Sequence, residues 1–275
     1  QYKFIELARE QLCDFVNEGI LKNTINLPKG EGLKRENILS MGQSAVFPDL
    51  ILILENSEKQ KRAVPCHLAV LSRAYYFKLM FALPLSESSV YARNRHCQNS
   101  DNLSALVVVK FPRCEFEIAI IILRYLYYDS SDIPWQHAVD VLLVADILLE
   151  DRLKSMAAVV ITQSKEVLKH YSIFDILCVS WETRMERIEH FVARVIAQNI
   201  RTYAKDPALK NAVLQSSRRI SAREETDTIE LIDDIRFFLL EKYAFVPDDI
   251  EFLSNEYDMS ILKNSGILEY QQDIE

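Results

Sequence analysis

Glycine is scarce in this sequence, at 5 of 275 residues, and proline stands at 8. So low a share of both excludes a collagen-like or low-complexity chain. Apolar runs are short as well: none approaches the ~20 residues that a bilayer-spanning helix needs, so no membrane-spanning segment is expected. The opening residues, QYKFIELARE, carry charges where a signal peptide is apolar, and with no initiating Met the sequence reads as a piece of a longer protein. Cys13, Cys66, Cys97, Cys114 and Cys178 are odd in number and lack CxxC spacing. That argues against a disulfide framework and for thiols in a reducing compartment, so a cytoplasmic location is expected, with the nucleus also open.

Basic residues are the minority. Lys and Arg number 32 against 40 Asp and Glu, a net charge of −8 with no basic stripe, so nucleic acid is not an expected partner. Signatures of catalysis are missing too: there is no phosphate loop, no GxSxG and no HExxH, and no enzyme is expected. What is present is a folding composition. With 49% hydrophobic and 10% aromatic residues the chain can build sizeable cores, and its length suits about two domains.

Periodicity organises the chain further. Phe4, Leu7, Leu12, Phe15, Val16 and Ile20 recur at helical spacing, predicting a helix over Tyr2 to Ile25 that ends before Pro28, Gly30 and Gly32. Residues 27–46 read as a linker. Leu50 to Leu54 is continuously apolar, as in a strand covered on both faces; the polar turn Asn56 to Gln60 then leads into Arg62 to Cys66 as its hairpin partner. Leu83 to Asn102 reads as a surface loop and Ala105 to Phe111 as another strand. Core helices follow from Pro112 and from Asp132-Pro134. Beyond Asp151 only helical patterns appear, over Leu153–Leu168, Ser172–Trp181, Met185–Tyr203, Asp206–Leu214, Ile229–Tyr243 and Pro247–Leu268, with Ser172 and Asp206 as caps.

The stretch His67 to Phe81, HLAVLSRAYYFKLMF, follows FPDLILILE (Phe47 to Glu55) and RAVPC (Arg62 to Cys66). In that order it resembles the opening of the BTB/POZ domain: an Asp-containing strand, a hairpin partner and a helix pair reading His-x-x-Val/Leu-x-x-x-Ser-x-x-Phe-x-x-Met-Phe. The matching signature residues are Asp49, His67, Phe77, Met80 and Phe81. RYLYYDSSDI (Arg124 to Ile133) and AVDVLLVADILLEDRLKSM (Ala138 to Met156) resemble later elements of the same domain. SAREETDTIELIDDIRFFL (Ser221 to Leu239) resembles a stretch of the ankyrin-repeat-and-BTB proteins, which carry ankyrin repeats and two BTB domains in tandem. The resemblance implies an α+β fold: a BTB/POZ domain with a small, mainly three-stranded sheet flanked by helices at 47–163, then an all-α, BACK-like extension at 164–275. It makes residues 1–26 the closing helix of a preceding BTB domain.

The same resemblance implies partners. BTB domains that recruit a cullin-3-type scaffold use an apolar residue, any residue and a Glu just after the Met-Phe helix, where Leu85-Ser86-Glu87 stands; Tyr125 and Tyr128 would extend that surface. An apolar anchor with a carboxylate on a polar rim is the chemistry of an interface hot spot, although a polar loop satisfies so short a pattern by chance. Ubiquitination of an unknown substrate protein, bound through the ankyrin repeats, is the function implied. Its rival is an assembly module that forms homodimers or pairs tandem BTB domains within one chain. Leu68 stands where many homodimeric relatives have Lys or Arg, which argues against their charged groove. Asp49 and His67 are expected to tie strand to helix and not to act as a general base. The six acids from Glu224 to Asp234 fit a helix with Ile229, Ile232 and Ile235 facing inward, and Cys66-His67 and His96-Cys97 lack the spacing of a zinc site, so no metal or other cofactor is expected.

Overall fold

The computed structural model describes residues 14–31, 33–44, 46–82, 106–220 and 229–242, and falls into two units, Gln1–Val160 and Ile161–Glu275. The first is a mixed sheet with helices and the second is helical.

Strand β2 (Leu50–Glu55) is the centre of the sheet, whose order is β1-β3-β2-β4. It pairs antiparallel with β3 (Lys61–Cys66), Ile53 opposite Ala63, and parallel with β4 (Val107–Lys110), Ile51 opposite Val108. Leu50 to Leu54 are all buried, as an apolar run without alternation demands. In the hairpin, Asn56 Oδ1 accepts from Gln60 N–H at 2.8 Å and Asn56 Nδ2 donates to Gln60 Oε1 at 3.1 Å, which satisfies a side chain that is itself buried. Strand β4 alternates, with Val107 and Val109 inward and Val108 and Lys110 outward.

Two expectations about the N-terminal stretch are corrected. The predicted helix reaches only Leu21, as a π-helical segment over Phe15–Leu21, and residues 1–13 lie outside the described residues. Ile25 does not continue it: Ile25–Leu27 is strand β1, paired antiparallel with β3. Residues 27–46 are not a bare linker either, because α1 (Arg35–Gly42) forms within them and Met41 and Leu27 join Ile51, Ile53 and Ala63 in one core cluster. The sheet therefore has four strands, one more than expected, although β1 spans only 3 residues. The physical reason is burial. Val16 and Ile20 are 0% and 1% exposed, so this segment is packed at both ends of its turn.

Helices α2 (Leu68–Leu71) and α3 (Tyr75–Ala82) follow β3, and α4 (Phe116–Tyr128) follows β4. Helix α4 buries Phe116, Ile118, Ala119, Ile121, Ile122, Leu123, Tyr125 and Leu126, an apolar surface nearly all the way round, as a central helix requires. Helices α5 (Ala138–Ile147) and α6 (Asp151–Gln163) come next, the latter running into the second unit.

The second unit contains α7 (Val167–His170), α8 (Ile173–Thr183), α9 (Glu186–Gln198), α10 (Ile200–Tyr203), α11 (Pro207–Ile220) and α12 (Glu230–Lys242). Both expected caps are made: Ser172 Oγ accepts from Phe174 N–H at 3.3 Å and Asp206 Oδ1 from Ala208 N–H at 2.9 Å. Ile188, Val192, Ala193, Ile196 and Ala197 of α9 are buried, as are Ile229, Ile232 and Ile235 beside and on α12. The pattern 247–268 lies outside the described residues.

Few glycines leave other residues to make the left-handed turns. Phe47, Lys59, Asp129, Leu149 and Arg184 have φ between 49° and 62°. Gly19 is needed for room: a Cβ there would stand 2.6 Å from Val46 Cγ1. Gly19→Ala should therefore destabilise the chain by about 1–3 kcal/mol, as overpacked sites do. Val46→Ala in the same chain should recover part of the loss in urea unfolding, a coupling that an N-terminal segment without fixed packing would not show.

Candidate functional site

The signature residues form the joint between the sheet and α2. His67 lies at the N-terminal boundary of α2 with extended backbone (ψ 126°), and its ring is held from two sides: Nε2 lies 2.8 Å from Val46 O and Nδ1 2.9 Å from the Tyr127 hydroxyl. Because Val46 O can only accept, Nε2 carries a proton there, and in the neutral ring Nδ1 then accepts from Tyr127. The same hydroxyl accepts from His67 N–H at 3.2 Å. Phe15 completes an aromatic group, its ring centroid 6.0 Å from His67 and 6.3 Å from Tyr127. Asp49 does not bond the imidazole; its Oδ1 accepts from Leu68 N–H at 2.7 Å, satisfying a first-turn amide of α2 from the strand side.

Burial pushes the Tyr127 phenol well above its ordinary range, and likewise the Cys66 thiol beside it. Neither ionises near neutral pH, so this joint is structural and offers no nucleophile. Burial also pushes the Cys114 thiol up, to about 12.

A second knot fixes α3 against the end of α4. Arg73 donates to Leu126 O at 2.7 Å and to Asp129 Oδ1 at 2.8 Å, while Arg152 donates to Asp129 Oδ2. Arg152 and Arg73 hold the Asp129 carboxyl below the usual carboxylate range. Glu150 accepts from the Tyr75 backbone N–H and the Tyr125 hydroxyl at the start of α3, and its burial raises it. Tyr76 N–H donates to Leu148 O at 3.2 Å, which sets the first turn of α3 beside the end of α5.

Near that contact apolar side chains are exposed alongside the exposed Lys78 and Asp151. Tyr75 and Leu79, one turn apart on α3, are 50% and 38% exposed, and Ile147 and Leu149, flanking Leu148, are 51% and 50% exposed. Their inward counterpart is Phe77, fully buried against Phe111 at 6.2 Å and Phe81 at 6.3 Å between centroids. Met80 and Phe81 are half-buried.

Of the residues expected to contact a scaffold, Leu85, Ser86 and Glu87 lie outside the described residues. Tyr125 is 4% exposed, and its hydroxyl donates to Glu150. Tyr128 is half-buried. Tyr127, Arg73, Asp129 and Glu150 were not anticipated; the one available signal was Tyr127 lying four residues after the inward Leu123. Among the described residues no group of His, Cys, Asp and Glu could hold a metal, and no helix is long and apolar enough to cross a membrane.

A sheet closed by two short helices, with a half-buried His–Tyr joint and exposed apolar side chains beside it, suits an interaction fold, and residues 40–165 match the BTB/POZ domain family. The chain carries a BTB/POZ domain, a non-catalytic fold of protein–protein interaction adaptors. Over 256 residues it is 50% identical to an ankyrin repeat-containing protein of Saccharomyces cerevisiae, covering 93% of this chain and 49% of that protein. It is also 36% identical over 189 residues to BTB/POZ domain-containing protein 3 of Schizosaccharomyces pombe, covering 68% of this chain and 33% of that protein. The chain thus spans about half, or less, of the curated relatives it matches.

Two outcomes follow from the geometry. Tyr127→Phe strands His67 N–H and Nδ1 and should cost about 1–3 kcal/mol in chemical denaturation. Because the folded Asp129 carboxyl sits below its unfolded value, its stabilisation is present above the ordinary carboxylate range and is lost as pH falls through the lower folded value. Asp129→Asn should accordingly flatten the acid limb of the stability profile, measured as urea midpoint against pH.

Proposed function

We propose that the chain is the scaffold-binding part of a substrate receptor for a cullin-3-type ubiquitin ligase, with the target held by another part of the whole protein. The observation that carries this reading is the exposed apolar face of Tyr75, Leu79, Ile147 and Leu149 beside the helix that leads towards Leu85-Ser86-Glu87. Apolar anchors supply most of the energy of such a contact and a carboxylate sets its orientation. On this proposal the BTB/POZ domain at 47–163 binds the scaffold, the BACK-like region at 164–275 widens the contact, and both work in the cytoplasm or nucleus. The likeness to an ankyrin repeat-containing protein supports ankyrin repeats as the target-binding part.

A second reading, assembly through homodimers or tandem BTB pairing, is favoured by Phe47, which leaves 82% of its surface exposed near the His67 joint at Val46. Light scattering of the full-length protein distinguishes the two arrangements: a dimer supports association between copies and a monomer supports pairing within one chain.

The scaffold reading is tested by pull-down of a cullin with the native chain and with Leu79→Asp, Leu85→Asp and Glu87→Lys. Each substitution should reduce capture by about tenfold or more, in keeping with hot-spot losses above 1 kcal/mol. Capture unchanged in all three would remove the ligase role.

A further inference from the structure

The outward face of α9 carries two arginines with a histidine between them, whose Nε2 lies 3.9 Å from Asp234 Oδ1. Arg187, His190, Phe191 and Arg194 stand on one stripe at spacings of three, four and seven residues, and with Thr162 and Gln163 from the end of α6 they line a cleft of about 300 Å³. Among the described residues no carboxylate lines it. Arg187 spends Nε on Thr162 Oγ1 at 3.2 Å, and Arg194 lies over the Phe238 ring, 4.8 Å from its centroid. A guanidinium placed over a ring keeps its edge N–H donors available to a carboxylate. Neither arginine is ion-paired among the described residues, in a chain that has 40 acids to offer.

The spacing selects a ligand. Seven helical residues put Arg187 and Arg194 about 10.5 Å apart along the axis, so a single small ion meets one of them. An extended peptide advances about 3.3 Å per residue and spans the row in about three steps, that is with about four residues. A neighbouring cleft of about 510 Å³ shares His190 and is lined by Glu186, Glu189, Glu230, Asp233 and Asp234 together with Arg184 and Arg219. Five carboxylates against two arginines leave that cleft net negative, which disfavours a long polyanion such as RNA and limits the negative ligand to a short stretch.

We propose that the Arg187–His190–Arg194 row binds a short acidic peptide segment of a partner protein, its carboxylates paired with the two guanidinium groups. This second contact lies in the helical unit and does not depend on the cullin reading. The test is fluorescence anisotropy of labelled hexaglutamate with the full chain, beside labelled hexaglutamine and a hexaribonucleotide. Hexaglutamate should bind and the other two should not, with affinity falling as salt rises. Arg187→Gln together with Arg194→Gln should weaken binding by about tenfold or more. Arg187→Gln alone, which leaves the Phe238 contact intact, should give a smaller loss, and Lys169→Gln on α7 should give none. Urea midpoints equal to the native chain's establish that the variants are folded. Binding retained in the double variant, or no hexaglutamate binding at all, overturns the proposal. So does tighter binding by a chain carrying Asp248→Asn, Asp249→Asn and Glu251→Gln, since the cleft would then belong to the chain's own acids.

Discussion

One imidazole joins three stretches that are distant in sequence. His67 receives the Tyr127 hydroxyl on one nitrogen and donates a hydrogen bond to Val46 O from the other, while Phe15 lies tilted against the ring. Each of those bonds lies in a partly buried setting where an unmet donor or acceptor costs more than a made bond gains. The position of α2, and hence of α3 and its exposed apolar side chains, depends on this joint. Asp49 reinforces it from the strand, and the Arg73–Asp129–Arg152 knot fixes the far end.

Much of the sheet was legible because β2 is buried on both faces and therefore needs an unbroken apolar run, which is a strong and local signal. The helices of the second unit were legible for a similar reason, since α9 has one buried stripe and one charged face. The N-terminal segment was misread because helical periodicity does not distinguish a long helix from a short π-helical segment followed by a strand, and β1 shows no pattern of its own in 3 residues. What made β1 was an unpaired edge of β3, a fact about the fold and not about Ile25 to Leu27. Linker composition at 27–46 hid α1 because only Met41 on it is fully inward.

The site was legible in part. Asp49, His67 and Phe77 could be picked out because the pattern that contains them is short and ordered. Tyr127 was passed over for its neighbours Tyr125 and Tyr128, since α4 is apolar nearly all round and stripe logic fails on a helix with no solvent side. Charge readings fared differently: composition reports that acids outnumber bases but not that two arginines on α9 stand without a carboxylate partner among the described residues. Only the packing of α9, α12 and the end of α6 within their unit shows that.

The shortage of glycine has a thermodynamic consequence. Phe47, Lys59, Asp129, Leu149 and Arg184 hold left-handed backbone that costs an L-residue roughly 1–2 kcal/mol each. Evolution has thus left the molecule below the stability its architecture permits, and the slack sits at reversals of chain direction, away from the packed interior. Such a protein can be hardened by editing its corners while its core stays untouched.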